Sequence, residues 1–72
     1  MTLYQDIEVS NMLKYDVYLR LRRNNQWVKV TIPADSPSEA GDIALLNTNE
    51  DICSLKVYKA GSDIMWLGKN FR

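Results

Sequence analysis

Two stretches of alternating apolar and polar side chains, separated by a short polar turn, constrain the fold of this chain most. Residues 13–22 and residues 27–32 each repeat with a period of two, which is typical of a half-buried strand. Adjacent asparagines in residues 23–26 tolerate the left-handed backbone of a tight turn. The pattern therefore predicts an antiparallel hairpin. Its apolar faces are Tyr15, Val17, Leu19 and Leu21 in the first strand and Val28, Val30 and Ile32 in the second.

A helix start follows the hairpin. Pro33 lacks an N–H and ends the second strand, and Ser36 is a good N-cap. Pro37 then occupies the first helical position, and Glu39 stands where it closes a capping box. The helix is expected to end near Asn47. Its predicted inward stripe is Ala40, Ile43, Ala44 and either Leu46 or Asn47.

Strand character returns in residues 52–59, with Cys53, Leu55 and Val57 predicted to face inward. Residues 64–67 predict a fourth strand in a hairpin with the third, and residues 68–72 a frayed end. Residues 1–12 fit either irregular structure or an edge strand.

These elements predict one small α+β domain over residues 1–72. Its core, residues 13–59, has the order β-β-α-β, and residues 60–72 add a hairpin strand and a tail. One helix covers one face of a three- to four-stranded, mainly antiparallel sheet. If the second and third strands share the sheet, they should be parallel and joined by a right-handed crossover.

The composition excludes several chemistries. A chain of 72 residues without histidine has no His-based acid–base catalysis and no Cys/His zinc cluster. The single cysteine, Cys53, cannot form an internal disulfide and is expected to be a small buried apolar residue. No apolar run approaches the length of a membrane span, and no secretory signal is recognisable. We therefore expect a non-enzymatic cytoplasmic protein without cofactor or metal.

Charge is distributed unevenly along a chain that is neutral overall, with 9 basic and 9 acidic residues. Residues 13–32 are predominantly basic, whereas residues 33–55 contain acidic residues and no basic ones. The alternation places basic and aromatic side chains on the sheet face that the helix leaves open. The predicted partner-binding residues are Tyr18, Arg20, Arg22, Trp27, Lys29, Lys56 and Tyr58, with Glu39 and Asp42 as a second, acidic contact.

Three interpretations of this face remain open. Opposed charged patches with Tyr, Trp and Arg favour docking on a protein partner. Aromatic rings among cations also stack unpaired bases of single-stranded nucleic acid. Alternating charges on an exposed strand are, finally, often only solvated. The apolar residues 64–67 additionally allow self-association, so either a monomer or a weak homodimer is expected.

The segment from Val30 to Ala40, followed by Ala44, resembles the small RNA polymerase inhibitor protein of lytic podophages. That family has a similar size, a strand hairpin, a helix that starts at a Ser or Thr before Glu-Ala, and a final basic strand. The resemblance implies a phage protein that binds host RNA polymerase in the host cytoplasm and blocks transcription initiation without catalysis. It maps two polymerase-contacting arginines onto Lys56 and Tyr58, with Lys59 beside them, and an acidic helix stripe onto Glu39 and Asp42.

Overall fold

The computed structural model describes residues 13–71 and contains four strands and one helix. The expectation for residues 1–12 lies outside the described residues. In chain order the elements are β1 (Leu13–Leu21), β2 (Trp27–Ala34), α1 (Pro37–Leu46), β3 (Ile52–Lys59) and β4 (Met65–Asn70). The predicted α+β class is confirmed.

The strands form one antiparallel sheet in the order β2-β1-β3-β4. Both β2 and β3 run antiparallel to the central strand β1, so they are parallel to each other, as predicted for a crossover unit. The helix α1 packs on one side of the sheet, here called the helix face; the opposite side is called the open face.

The predicted β1–β2 hairpin is confirmed. Its turn is closed by the Leu21 amide, which donates to the Gln26 carbonyl at 2.8 Å, and the Asn25 amide, which donates to the Leu21 carbonyl at 2.8 Å. Asn25 has a φ of 60°, the left-handed conformation that asparagine tolerates better than most residues. This local chemistry fixes the register in which Arg20 pairs with Trp27 and Val17 with Val30.

Helix α1 begins where the capping pattern predicts. The Ser36 hydroxyl accepts a hydrogen bond from the Glu39 amide at 3.1 Å. The Glu39 carboxylate reaches back one residue further than a standard capping box, and accepts from the Asp35 amide at 2.7 Å. The first bond satisfies an amide that the first helical turn would otherwise leave without a partner, and the second fixes the residue before the N-cap.

The helix face of the sheet holds the core. Its buried apolar side chains come from every element except β4, and comprise Tyr15, Val17, Leu19, Leu21, Ala34, Ala40, Ala44, Ile52, Leu55 and Val57. Ala40 and Ala44 confirm most of the predicted helix stripe, and Ile43, another predicted member, packs against the core. Leu46 does not belong to the stripe, because it is 85% exposed at the end of the helix.

A bulge in β3 corrects the expected inward position of Cys53. Arg20 pairs with Ser54, whereas the next residue, Leu21, pairs with Ile52, so Cys53 is the additional residue. Ile52 therefore occupies the buried position opposite Leu21, and Cys53 is only half-buried.

Strand β4 confirms the predicted second hairpin but extends further than expected. Residues 68–70 continue the strand, and the Phe71 amide donates to the Cys53 carbonyl at 2.9 Å. The predicted fraying is therefore wrong for residues 68–71. Phe71 packs against the core from the end of this strand.

Candidate functional site

The open face carries a group of aromatic and basic side chains from three neighbouring strands. We call this group the aromatic-basic cluster: Tyr18 and Arg20 of β1, Trp27 of β2, and Lys56 and Tyr58 of β3. The register brings them together because Arg20 pairs with Trp27 across one side of β1, and Tyr18 pairs with Lys56 across the other. Five of the nine predicted site residues are thus adjacent.

Direct contacts hold the cluster in one arrangement. The rings of Tyr18 and Tyr58 meet edge to face, with centroids 5.4 Å apart and planes at 80°, a favourable geometry for aromatic pairs. The Lys56 Nζ lies 5.0 Å from the centroid of Trp27, and the Arg20 Cζ lies 5.9 Å from it. Both distances are within the range of cation–π attraction. Two positive charges therefore share one indole ring.

A depression of about 270 Å³ opens among these side chains. Four members of the cluster line it, namely Tyr18, Trp27, Lys56 and Tyr58. Ser62 and Asp63, from the turn between β3 and β4, complete the lining. Trp27 remains 40% exposed, so a ligand can still reach its ring.

Asp16 fixes the position of that turn. Its carboxylate is almost fully buried on the open face, and accepts hydrogen bonds from the Thr31 hydroxyl at 3.0 Å and the Gly61 amide at 3.3 Å. Gly61 has a φ of 73°, a conformation that glycine adopts without a steric penalty. Lys29, another predicted site residue, approaches the same carboxylate at 3.9 Å. Lys29 is therefore on the open face, but its charge is partly neutralised.

Basic residues at the far end of the sheet are engaged by carboxylates. Arg22 forms an ion pair with Asp51 at 3.1 Å, and Arg23 forms one with Glu50 at 2.9 Å. The hydrogen bond to Glu50 and its negative charge raise the pKa of Arg23 above its ordinary value. Arg20 and Lys56, in contrast, form no ion pair within residues 13–71.

Three predicted site residues lie apart from the cluster. Arg22 follows the end of β1, where its backbone and side chain bind Asp51 and its guanidinium also donates to the Phe71 carbonyl at 3.4 Å. It lines a second depression of about 330 Å³, between the loop after α1 and the start of β3. Glu39 and Asp42 are exposed on the helix, on the other side of the sheet. The expected acidic contact is therefore separate from the basic face.

Strand alternation places Asp16 on this face without a role in the site, and it does not reveal Met65, Ser62 or Asp63. Met65 pairs with Tyr58 and extends the apolar surface onto β4, where it is 52% exposed. Ser62 and Asp63 line the depression, and the Asp16 carboxylate accepts a hydrogen bond from Gly61 in the same turn. The predicted fourth strand contains Met65. Its pairing with Tyr58, however, depends on a bulge between Val57 and Tyr58, and alternation alone does not reveal bulges.

Within residues 13–71, no group of three or more His, Cys, Asp or Glu side chains is close enough together to hold a metal ion. The helix that the structure describes is too short to cross a membrane.

Comparison with known protein families, with curated proteins and with solved structures finds no significant match to this chain. The interpretation of the open face consequently rests on its own geometry.

Proposed function

We propose that this protein is a non-enzymatic docking module that binds a partner protein through the open face of its sheet. The observation that carries the proposal is the position of Arg20 and Lys56 at the exposed ring of Trp27, without a carboxylate partner in residues 13–71. Trp, Tyr and Arg are the residue types that most often dominate the free energy of protein association. Here they are already packed against one another, which reduces the entropy lost on binding.

Bacterial RNA polymerase is the leading candidate partner. The sequence resemblance to the podophage inhibitor supports it, together with Lys56 in the corresponding strand. In this proposal the protein acts in the host cytoplasm, occupies a polymerase surface and prevents transcription initiation by steric exclusion. The acidic residues Glu39 and Asp42, on the helix side of the sheet, would then form a separate second contact.

Single-stranded nucleic acid is the competing ligand class, because a tryptophan flanked by cations also stacks bases and neutralises phosphates. Asp63 at the rim of the depression and the buried Asp16 carboxylate disfavour a continuous phosphate chain. The observations therefore favour a protein partner with discrete charges over a polyanion.

The test combines capture and transcription with a matched pair of charge reversals. Lys56→Glu alters the aromatic-basic cluster, and Lys69→Glu makes the same change on β4 opposite the buried Leu55, on the helix face. The unmodified protein should capture purified polymerase holoenzyme and inhibit promoter-dependent initiation. Lys56→Glu should weaken both effects by about tenfold or more, as expected of a central interface residue, and Lys69→Glu should leave them unchanged.

Failure of the purified polymerase to bind would remove it as the partner. Equal weakening by the two variants would reject the open face as the docking surface. Nucleic acid is tested in a Trp66→Phe variant, in which Trp27 is the sole tryptophan. Quenching of its fluorescence by an oligothymidylate, with affinity that falls steeply as salt increases, would support the competing ligand class.

A further inference from the structure

One side of the β2 backbone pairs with no other strand within residues 13–71, because β2 forms an edge of the sheet. Two hydrogen bonds of β1 show which residues point outward. The Leu21 amide donates to the Gln26 carbonyl on the β2 side, and the Ala60 amide donates to the Lys14 carbonyl on the β3 side. In an antiparallel ladder these directions alternate from residue to residue. The backbone groups of β2 that point away from β1 therefore belong to Trp27, Lys29, Thr31 and Pro33.

The outward positions account for the proline within β2. Pro33 pairs with Lys14, but its missing N–H is on the outer side, so no bond of the ladder with β1 is lost. The amides of Trp27, Lys29 and Thr31 remain as outward donors. A row of backbone groups without a strand partner is a template for the addition of another strand.

Apolar side chains on the helix face of β2 are exposed as well. Val28 and Val30 lie opposite Leu19 and Val17 of β1, which are buried in the core. The two valines are nevertheless 40% and 38% exposed, because the helix does not cover the outer margin of the core. A strand added at this edge would cover both valines with its own side chains.

The other edge strand, β4, is a poorer template. It contains a bulge at Trp66, because its register shifts between Val57 and Tyr58 of β3. Bulges twist an edge strand and interrupt its row of donors. Strand β2, in contrast, pairs with β1 in unbroken register along its whole length. It is therefore the better edge for strand addition.

We propose that this protein forms a symmetric homodimer in which the β2 strands of two copies pair antiparallel, edge to edge. Val30 lies at the two-fold axis, opposite Val30 of the second copy. Val28 then lies opposite Ile32 of the second copy, and Lys29 opposite Thr31. The two four-stranded sheets become one continuous sheet, with both aromatic-basic clusters on the same side.

Charge and backbone hydrogen bonding select this register. Outward-facing residues pair with outward-facing residues, so the alternatives are shifted by two residues. A shift in one direction sets Lys29 against Lys29 of the second copy, and like charges directly opposite are destabilising. A shift in the other direction sets Lys29 against Pro33, which has no N–H to donate, and moves Trp27 beyond the end of the opposite strand. In the proposed register, apolar side chains meet apolar ones on the helix face, and Lys29 meets a neutral threonine. Strand β2 is thus complementary to itself.

Analytical ultracentrifugation from micromolar to millimolar protein tests the dimer, because interfaces below about 1,200 Å² belong to weak complexes. The matched variants are Lys29→Pro and Lys29→Ala. Both remove the lysine side chain, but only proline also removes the outward N–H. Lys29→Ala should dimerise at least as tightly as the unmodified protein. Lys29→Pro should raise the dissociation constant by about tenfold or more, as for the loss of one hydrogen bond from each copy. Circular dichroism verifies that both variants fold.

Disulfide formation tests the register without a proline. In a Cys53→Ser background, Val30→Cys meets its counterpart at the two-fold axis and should oxidise to a covalent dimer. Val28→Cys is the matched control, since Val28 is similarly exposed on the same face. It would lie about 13 Å from its counterpart, beyond the Cα separation of about 7 Å that a disulfide can span, and should remain monomeric.

Three results would overturn the inference. They are a monomer at every concentration, equal dimerisation of Lys29→Pro and Lys29→Ala, and oxidation of Val28→Cys as readily as Val30→Cys. The second result would place self-association at another surface, such as β4. None of these results bears on docking through the open face, which the Lys56→Glu variant tests separately.

Discussion

The carboxylate of Asp16 joins β1 to a turn that lies 45 residues further along the chain, because its Oδ2 accepts a hydrogen bond from the Gly61 amide at 3.3 Å. Its Oδ1 accepts from the Thr31 hydroxyl of β2 at 3.0 Å. One buried acid on the open face thus connects the central strand, an edge strand and the β3–β4 turn. The turn carries Ser62 and Asp63, which line the candidate docking depression, so Asp16 anchors the turn that supplies this part of the lining.

Asp16→Ala should lower the free energy of unfolding by about 1.5–3 kcal/mol, because it removes hydrogen bonds to a charged group. Chemical denaturation monitored by circular dichroism measures the change. Asp42→Ala is the matched control: Asp42 is exposed on the helix, and its removal should change stability by no more than about 0.5 kcal/mol. Equal stability of the two variants would show that Asp16 does not support the fold.

Substitution by alanine should change the free energy of unfolding in opposite directions at two glycines. Gly41 lies within α1, and a Cβ there would approach the Leu55 Cδ2 to 3.4 Å, an ordinary contact. Gly41→Ala should therefore raise the free energy of unfolding by about 0.5–1 kcal/mol through higher helix propensity. Gly61→Ala should lower it by about 1–2 kcal/mol, because its φ of 73° is unfavourable for alanine. Melting temperatures that move in the same direction for both variants would contradict this account.

The N-cap of the helix should contribute measurably to the free energy of unfolding. Ser36→Ala removes the acceptor of the Glu39 amide and should lower the free energy of unfolding by about 1 kcal/mol. Ser38→Ala, an exposed position in the same helical turn, provides the control and should have a much smaller effect. Urea denaturation distinguishes the two variants. A Ser36→Ala variant as stable as the unmodified protein would mean that the cap contributes nothing measurable.

The cation–π contact within the aromatic-basic cluster should appear as a coupling energy. A double-mutant cycle of Trp27→Leu and Lys56→Gln should give about 0.5–1 kcal/mol, as for partly exposed pairs. Trp66→Leu with Lys69→Gln forms the control cycle, since both cation–π contacts within residues 13–71 involve Trp27. Coupling energies of equal size in the two cycles would reject a specific Lys56–Trp27 interaction.

The sequence predicts those features that depend on neighbouring residues. Alternation gives the strands, adjacent asparagines give the turn at Asn25, and the sequence from Ser36 to Glu39 gives the helix start. These signals are local, so each can be interpreted without knowledge of the remainder of the chain. They also place most of the aromatic-basic cluster on one face, because side-chain direction follows from strand alternation.

The missed features depend on distant parts of the chain. The additional residue Cys53 arises from the register between β1 and β3, which no local pattern specifies. Strand alternation predicts Arg22 on the open face. In the structure, Arg22 follows the end of β1 and forms an ion pair with Asp51. Leu46 fits a helix stripe, yet it is exposed because α1 ends at that residue.

The central position of β1 has a consequence for synthesis on the ribosome. Its second neighbour, β3, is completed only at Lys59, long after β1 ends at Leu21. At translation rates of about 5–20 residues per second, that interval lasts roughly 2–8 s. During it, the nascent chain presents an unpaired β1 edge, with Val17 and Leu19 not yet covered by β3 and α1. Premature termination before Lys59 would therefore release an aggregation-prone hairpin that lacks the completed sheet.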